Sequence, residues 1–293
     1  MNWKKAATIL LGCALVGAVL VGCGGQQAAQ KDNNQDGKNI VKVGLLTRQN
    51  LSEDKLNSLL KEKESSGQAM IVTYYDNLSA MQMGLDAGNI QSMRIYKSVA
   101  TYLTDRNNNL VVKEVADHPM DEFCFGVRKE DEKLQADLNR VIADMKADGT
   151  LEKLSKEYVT ALKKGEEPPA VTLPFQPGDV PLRIAVTGDL PPLDLVKADG
   201  SAAGFNTAIL AEIGKRLRCS IEVVQVASGG RAATLTSKKA DVVFWTVVPV
   251  EKKANNEAVG IKGLFMPRDA DVPEGMALTD SYFSDEVVDV AKK

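Results

Sequence analysis

The sequence predicts an α/β fold, and three stretches carry that prediction. From Leu182 to Val226 the chain reads as strand, long polar loop, helix and strand, a βαβ unit. From Val41 to Val115 strands and helices alternate again. Between them, Gly165 to Pro181 contains Pro168, Pro169, Pro174, Pro177 and Pro181 and reads as a semi-rigid linker. Units of this kind bind ligands at the carboxyl ends of their strands, which is where a site is expected.

The chain starts with a targeting segment. Lys4 and Lys5 form its charged part and Ala6 to Gly22 its apolar part, which is short for a membrane span. Leu20-Val21-Gly22-Cys23 resembles a bacterial lipobox, which implies acylation of Cys23; a plain signal peptide and a membrane-spanning helix are the alternatives. Gly24 to Asn39 is almost devoid of apolar residues and reads as a flexible tether. Val41 to Leu46 is the first strand. Ser52 caps a helix carrying Leu56, Leu59 and Leu60. Met70 to Tyr75 is a strand, and Asn77 caps a helix through Met81, Met83 and Leu85. Ile90 to Tyr96 is a strand, Val99 to Leu103 a helix and Leu110 to Val115 a strand. Near Phe123 a further strand leads into a helix with Leu134, Leu138, Val141, Ile142 and Met145 on one face. Asp148-Gly149-Thr150 ends it and starts another. After the linker, Leu182 to Val186 is a strand, Gly188 to Gly204 a loop, and Asn206 the cap of a helix through Ile209, Leu210, Ile213 and Leu217. Ile221 to Val226 and Glu286 to Val290 are strands.

Two parts of this pattern resemble the extracellular solute-binding proteins of the polar amino-acid importer family. Asp189, Pro191, Pro192, Asp199, Gly200, Gly204, Phe205 and Asn206 resemble the family's opening segment. Phe123 to Val159, with Arg128-Lys129-Glu130-Asp131 and Lys146-Ala147-Asp148-Gly149-Thr150, resembles its closing segment, and Thr279-Asp280-Ser281-Tyr282-Phe283 resembles the place where the chain passes between lobes. The resemblance implies a two-lobed periplasmic-binding-protein type 2 fold. Its closing segment here precedes its opening one, which implies a circular permutation. The expected organisation is a signal peptide at 1–22, a tether at 23–40 and lobe 2 at 41–121. A return strand and helices follow at 122–164, then the linker at 165–181 and lobe 1 at 182–293. The permutation places the new chain ends at the hinge and leaves one covalent crossing, near Asp117 to Asp121. Two incomplete domains in tandem are the alternative; the roughly 240 residues left without tether and linker suit one two-lobed body better.

Composition narrows the function. The chain has 293 residues, a net charge of −3 and one histidine. Weak acidity argues against a nucleic-acid partner, since phosphate binding needs a basic face. One histidine and few cysteines argue against a His-dependent triad or a zinc site, and no cofactor or metal is expected. Cys124 and Cys219 read as two buried free thiols.

Carried over residue by residue, the resemblance points to a set of candidate ligand contacts. Asp189 and Asp194 lie in the first loop of lobe 1, where Leu193 replaces the family's aromatic wall; Asp189 is either a contact or a loop cap. Arg231 begins a helix and either grips a carboxylate or stays solvated. Thr246 keeps one of the family's hydroxyls, while Val248 and Val250 replace two others and Lys253 replaces the forked arginine. Trp245 either stacks on a ligand or fills the core edge. In lobe 2, Tyr96 stands where the family has the aspartate that binds an α-ammonium, Arg94 shares its face, and Arg48 lies in the loop Thr47 to Asn50 as a contact or a surface ion pair. Arg231, Arg94, Arg48, Thr246 and Tyr96 lean cationic and hydroxylic, so the expected ligand is a small anionic or polar solute and not a standard free α-amino acid.

The resemblance implies a monomeric, lipid-anchored receptor on the extracytoplasmic face that delivers its solute to an ABC permease. The alternatives are a ligand sensor with no transport role and a dehydratase-like enzyme on the same scaffold, whose acid–base pair would be Asp189 with Asp194.

Overall fold

A computed structural model describes residues 39–62, 68–250, 264 and 266–293. The targeting segment, Cys23, all but the last two residues of the tether, and Lys253 lie outside these residues. Lobe 2 opens with β1 (Asn39–Leu46), α1 (Glu53–Glu62), β2 (Gln68–Tyr75), α2 (Leu78–Asp86), β3 (Ser92–Tyr96), α3 (Lys97–Arg106) and β4 (Leu110–Glu114). Local chemistry sets the helix starts: Ser52 Oγ accepts the Lys55 N–H at 3.2 Å and Asn77 Oδ1 the Ala80 N–H at 2.7 Å. Leu56 and Leu60 of α1, and Met81 and Leu85 of α2, are buried at helical spacing against the sheet.

The chain then enters lobe 1 through β5 (Met120–Arg128), followed by α4 (Glu132–Ala147) and α5 (Thr150–Ser155). Gly149 joins these helices at φ 76°, a left-handed position that suits glycine. After the linker come β6 (Leu182–Val186), three short strands β7 (Asp189–Leu190), β8 (Asp194–Val196) and β9 (Ala202–Ala203), and α6 (Phe205–Leu217). The end of lobe 1 is β10 (Ile221–Gln225), a 3-10 turn (Ser228–Gly230), α7 (Arg231–Thr236), β11 (Val242–Pro249), β12 (Met276–Leu278) and β13 (Phe283–Lys292). The short sheet β7-β8-β9 folds the loop expected at Gly188 to Gly204 back on itself. It also moves the cap of α6: Gly204 holds that position at φ 99°, and Asn206 is buried inside the first turn. A Cβ on Gly204 would lie 2.6 Å from the Pro192 carbonyl oxygen, so only glycine fits there.

Lobe 2 carries the order β2-β1-β3-β13 with β4 on the far side of β13; lobe 1 carries β10-β6-β11-β5 with β12 also on β5. Strand β13 belongs to both. Its Phe283–Glu286 pairs antiparallel with β5, and its Val287–Ala291 with β3. Two segments therefore pass the waist, strand β13 and the connection between β4 and β5, where the sequence suggested one crossing. A second expectation also changes. Gly44 of β1 pairs with Met93, and Met93 with Val290. The end of β13 thus lies one strand from β1, level with Val43 in the body of the lobe 2 sheet, and not at the hinge.

Aromatic rings fill the waist. Phe123 is fully buried, with Tyr96 at 4.7 Å, Phe283 at 5.4 Å and Tyr282 at 6.4 Å between ring centroids. The Pro-rich linker lies against lobe 1 and covers the start of its edge strand: the Pro174 carbonyl accepts the Ile221 N–H at 2.9 Å, and Ser220 Oγ accepts the Gln176 N–H at 2.8 Å.

Cys124 and Cys219 are both free thiols; Cys124 is buried, while Cys219 is only partly so. Burial pushes the Cys124 thiol up to about 12, which suppresses its thiolate at neutral pH. Native protein is expected to alkylate first at Cys219, and at Cys124 only after unfolding. Peptide mass spectrometry after a timed iodoacetamide pulse checks this.

Candidate functional site

The carboxyl ends of the parallel strands meet between the lobes. Lobe 2 contributes the loop after β1, with Thr47, Arg48 and Gln49, and the end of β3, with Arg94 and Tyr96. Lobe 1 contributes Leu190, Arg231 from the start of α7, Trp245 from β11 and Asp271; Asp121 enters from β5 at the waist. All of these line one cavity of about 30 Å³. Direct bonds hold the lobes together around it. Gln49 Nε2 donates to Thr246 Oγ1 at 3.0 Å, the Asn50 and Leu51 N–H groups donate to Asp271 Oδ1, and Ser228 Oγ donates to the Thr47 carbonyl.

Five of the eight candidate contacts line the cavity: Arg48, Arg94, Tyr96, Arg231 and Trp245. Their chemistry differs. Arg94 donates two hydrogen bonds of 2.9 Å to Asp289, its register partner on β13, so an aspartate already matches its charge. Arg231 is buried and spends its donors inside lobe 1, on the Ser228 carbonyl and hydroxyl and on the Trp245 carbonyl, while its guanidinium lies 4.1 Å from the Trp245 ring centroid. Burial brings its pKa down to about 10, so it stays charged at neutral pH. Tyr96 donates its hydroxyl to Asp121 at 3.2 Å. Burial raises the Asp121 carboxyl, and Arg48 beside it holds that rise in check.

Arg48 differs from the other two arginines. Among the described residues its guanidinium makes no hydrogen bond or ion pair, and its Nε is buried without a partner. Burial opposes its charge, yet Tyr96, Asp271 and Asp121 around it keep its pKa above the ordinary value. Trp245 also presents a buried indole N–H with no partner. A bulge in the β11–β5 pairing between Val243 and Thr246 holds Trp245 at φ 44°. A left-handed backbone at a tryptophan is costly, and such strain concentrates at functional positions.

The other three candidates lie outside the cavity lining. Thr246 is fully buried beneath it and accepts the Gln49 side chain. Asp189 reaches across the cleft, and its Oδ2 accepts the Leu78 N–H at the start of α2 at 2.6 Å. Asp194 is buried within lobe 1, where its Oδ2 accepts the Gly188 N–H and the Thr187 hydroxyl. Neither aspartate of the suggested acid–base pair therefore faces the cavity. Among the charged cavity residues, Asp121 and Asp271 escaped the sequence reading. Asp271 carries no local signal. Asp121 had one, an acid at the waist just before a strand of buried residues.

Burial pushes the Asp194 carboxyl up to about 6 from the ordinary 3.8, with the Gly188 and Thr187 donors opposing and the Asp189 charge adding to the rise. The folded state thus holds this proton more tightly than the unfolded chain does. The group's stabilising contribution is complete below pH 3.8 and is lost as the pH climbs to about 6. Asp189, Asp121 and Asp285 shift in the same direction. The fall in Tm between pH 4 and pH 6.5 is therefore expected to shrink in Asp194→Asn, whose amide oxygen still accepts both donors, without vanishing. Melting curves of both proteins over that range test it.

A sequence profile for bacterial extracellular solute-binding proteins, family 3, matches residues 31–161 and 182–258. The chain belongs to this family. Solved structures similar to this family 3 protein include the zinc-bound ligand-binding component of an ABC-type import system from Staphylococcus aureus, 9% identical with a TM-score of 0.41, which covers 87% of this chain and 66% of that one. The methionine-binding protein MetQ is 9% identical with a TM-score of 0.38, over 87% of this chain and 83% of that one. The GluR0 ligand-binding core from Nostoc punctiforme in complex with L-glutamate is 12% identical with a TM-score of 0.36, over 87% and 84%. This chain thus spans just under two thirds of the length of the first of these. No curated protein matches. Among the described residues no helix is long and apolar enough to cross a membrane, and no cluster of side chains is arranged to hold a metal.

Proposed function

We propose that this protein is a lipid-anchored, extracytoplasmic receptor that captures a small polar or anionic solute between its lobes and delivers it to an ABC permease. Acylated Cys23 holds it at the membrane as a monomer. The observation that carries the ligand reading is Arg48, a guanidinium in the interlobe cavity with no hydrogen-bond partner among the described residues. Asp121 and Asp271 offset its charge through space, but its hydrogen-bond donors stay unmet, and an anion that completes its fork meets them. Arg48, Tyr96 and Trp245 make the contact surface. Arg231 holds Trp245 in place, and Arg94 is tied to Asp289. Lobe closure around the solute forms the surface that the permease reads.

The family order is circularly permuted in this proposal, with lobe 2 at 41–121, the return segment at 122–164, the linker at 165–181 and lobe 1 from 182 to the waist, beyond which β13 returns to the lobe 2 sheet. The break in the family match, which resumes at residue 182, supports this, as does the nearness of β1 to the end of β13, with only β3 between them. A screen of thermal shifts over amino acids, carboxylates and phosphorylated metabolites tests the ligand reading. A stabilising hit among the small anions, lost in Arg48→Gln, is expected. A large shift with one ordinary amino acid alone would sink it. A rearranged chain with 182–293 placed before 41–164 is expected to melt within a few degrees of the native order.

A further inference from the structure

Helices α1, α2 and α3 each follow a strand of the lobe 2 sheet. A helix start leaves N–H groups without partners inside the helix and draws an anion. In this protein aspartates from outside lobe 2 take those positions. Asp271 Oδ1 accepts the Asn50 and Leu51 N–H groups at 2.9 and 3.0 Å, just before the Ser52 cap of α1. Asp189 Oδ2 accepts the Leu78 N–H, the first of α2, at 2.6 Å. Asp285, in the part of β13 that pairs with β5, accepts the Ser98 N–H of α3 at 3.2 Å. The lobes also meet between these points. Ser228 donates its N–H to the Asp76 carbonyl at 3.0 Å and its hydroxyl to the Thr47 carbonyl at 3.0 Å. Beside it, a Cβ on Gly229 would lie 3.0 Å from Thr47 Cγ2, so little room is left between the two loops.

An apolar contact adds to these bonds. Leu51, Leu56 and Val72 belong to a buried cluster of lobe 2 beneath α1. Leu264, which lies between β11 and β12 in the chain, is 2% exposed in the same cluster, and Met266 packs against it. Lobe 1 thus sets a leucine into a core of lobe 2, and parting the lobes would return it to water. We propose that the closed arrangement is the resting state of the chain itself, clasped by Asp189 at the start of α2, by Asp271 before α1 and by Leu264 beneath α1. The clasp runs from protein to protein and needs no solute to complete it. Solute enters through a minor open state, and its contacts add to a closure that the chain already favours. This goes beyond the reading of the cleft as the solute site and holds whichever solute the cleft takes.

Hydrogen exchange of the full chain, unfolded, dialysed and refolded to strip it of solute, tests the proposal. The Asn50, Leu51, Leu78 and Ser228 N–H groups donate across the cleft, so parting of the lobes frees all four. All four are expected to exchange at least about a hundredfold more slowly than in the unfolded chain. Asp189→Ala and Leu264→Ala each remove one part of the clasp. Each is expected to speed the amides that it does not touch — Asn50, Leu51 and Ser228 in the first, Leu78 and Ser228 in the second — by a common factor of about tenfold or more. Val141 and Ile142 in α4 are expected to keep their protection in both. Exchange at the unfolded rate in the wild type would overturn the proposal, since the lobes would then rest open. Unchanged exchange at the untouched amides in either folded variant would also overturn it, because the contacts would then act separately and locally. Where one variant loses protection in α4 as well, the other decides. Loss of α4 in both would make these contacts part of the global fold and overturn a separate closing step.

Discussion

Arg48→Gln is expected to weaken solute binding by about 30-fold or more while leaving the unliganded fold nearly as stable. Losing one partner of a desolvated, hydrogen-bonded charge pair costs about 2–5 kcal/mol, and about 1.4 kcal/mol is tenfold in affinity. The glutamine is shorter, uncharged and cannot present the planar fork. The unliganded protein loses little, because the guanidinium makes no hydrogen bond to the described residues. Its main internal effect is on Asp121, whose carboxyl is then expected to rise further without the cation beside it. Arg48→Lys keeps the charge without the fork and is expected to fall between wild type and the glutamine variant. Titration calorimetry and thermal melting on the same three proteins decide the matter. Equal affinity in all three would remove Arg48 from the site, and a fall in Tm equal to the loss of binding would make it a structural residue.

The second large effect is on stability. Phe123→Ala is expected to cost about 3–5 kcal/mol, a drop in Tm on the order of 10 °C. Phe123 is fully buried where β5 meets β13, and its ring touches Tyr96 of lobe 2 and Tyr282 and Phe283 of lobe 1. Its removal opens a void in the one layer that both lobes share, and the strands on either side cannot close it without breaking the register of β13 on β5. Phe123→Leu fills most of the volume and is expected to lose less than half as much. Denaturant melts of the two variants measure the difference; equal losses would mean that ring stacking, not volume, holds the waist.

Much of this architecture is written locally. Asn77 caps α2 because an asparagine before a helical apolar stripe satisfies an end N–H, whatever surrounds it. Leu138, Val141, Ile142 and Met145 fall on one buried face of α4 because their spacing is helical. Other features depend on partners distant in sequence. Asn206 looks like a cap by type and position, yet the short strands before it let Gly204 take that place. The second waist crossing stayed hidden because an alternating apolar run does not say which sheet each half of a ten-residue strand joins.

The same division runs through the site. Arg48, Tyr96, Trp245 and Arg231 were legible because residues toward the carboxyl ends of strands, and in the loops and helix starts that follow, face a cleft in an α/β fold, and residue type states what each can bind. Which of them has bonds to spare was not legible. Asp289 lies 195 residues from Arg94 and takes up that guanidinium, while Arg231 turns inward to its own lobe. Asp121 and Asp271 reach the cavity only through the folding of the waist and of a distant loop. By itself the sequence determined the fold class, the order of elements and the family, because helix and strand periodicity and turn chemistry act over a few neighbouring residues. Only the tertiary structure decided which charges are already matched and how little space the lobes leave between them, because pairing and volume are set by side chains that meet from far along the chain.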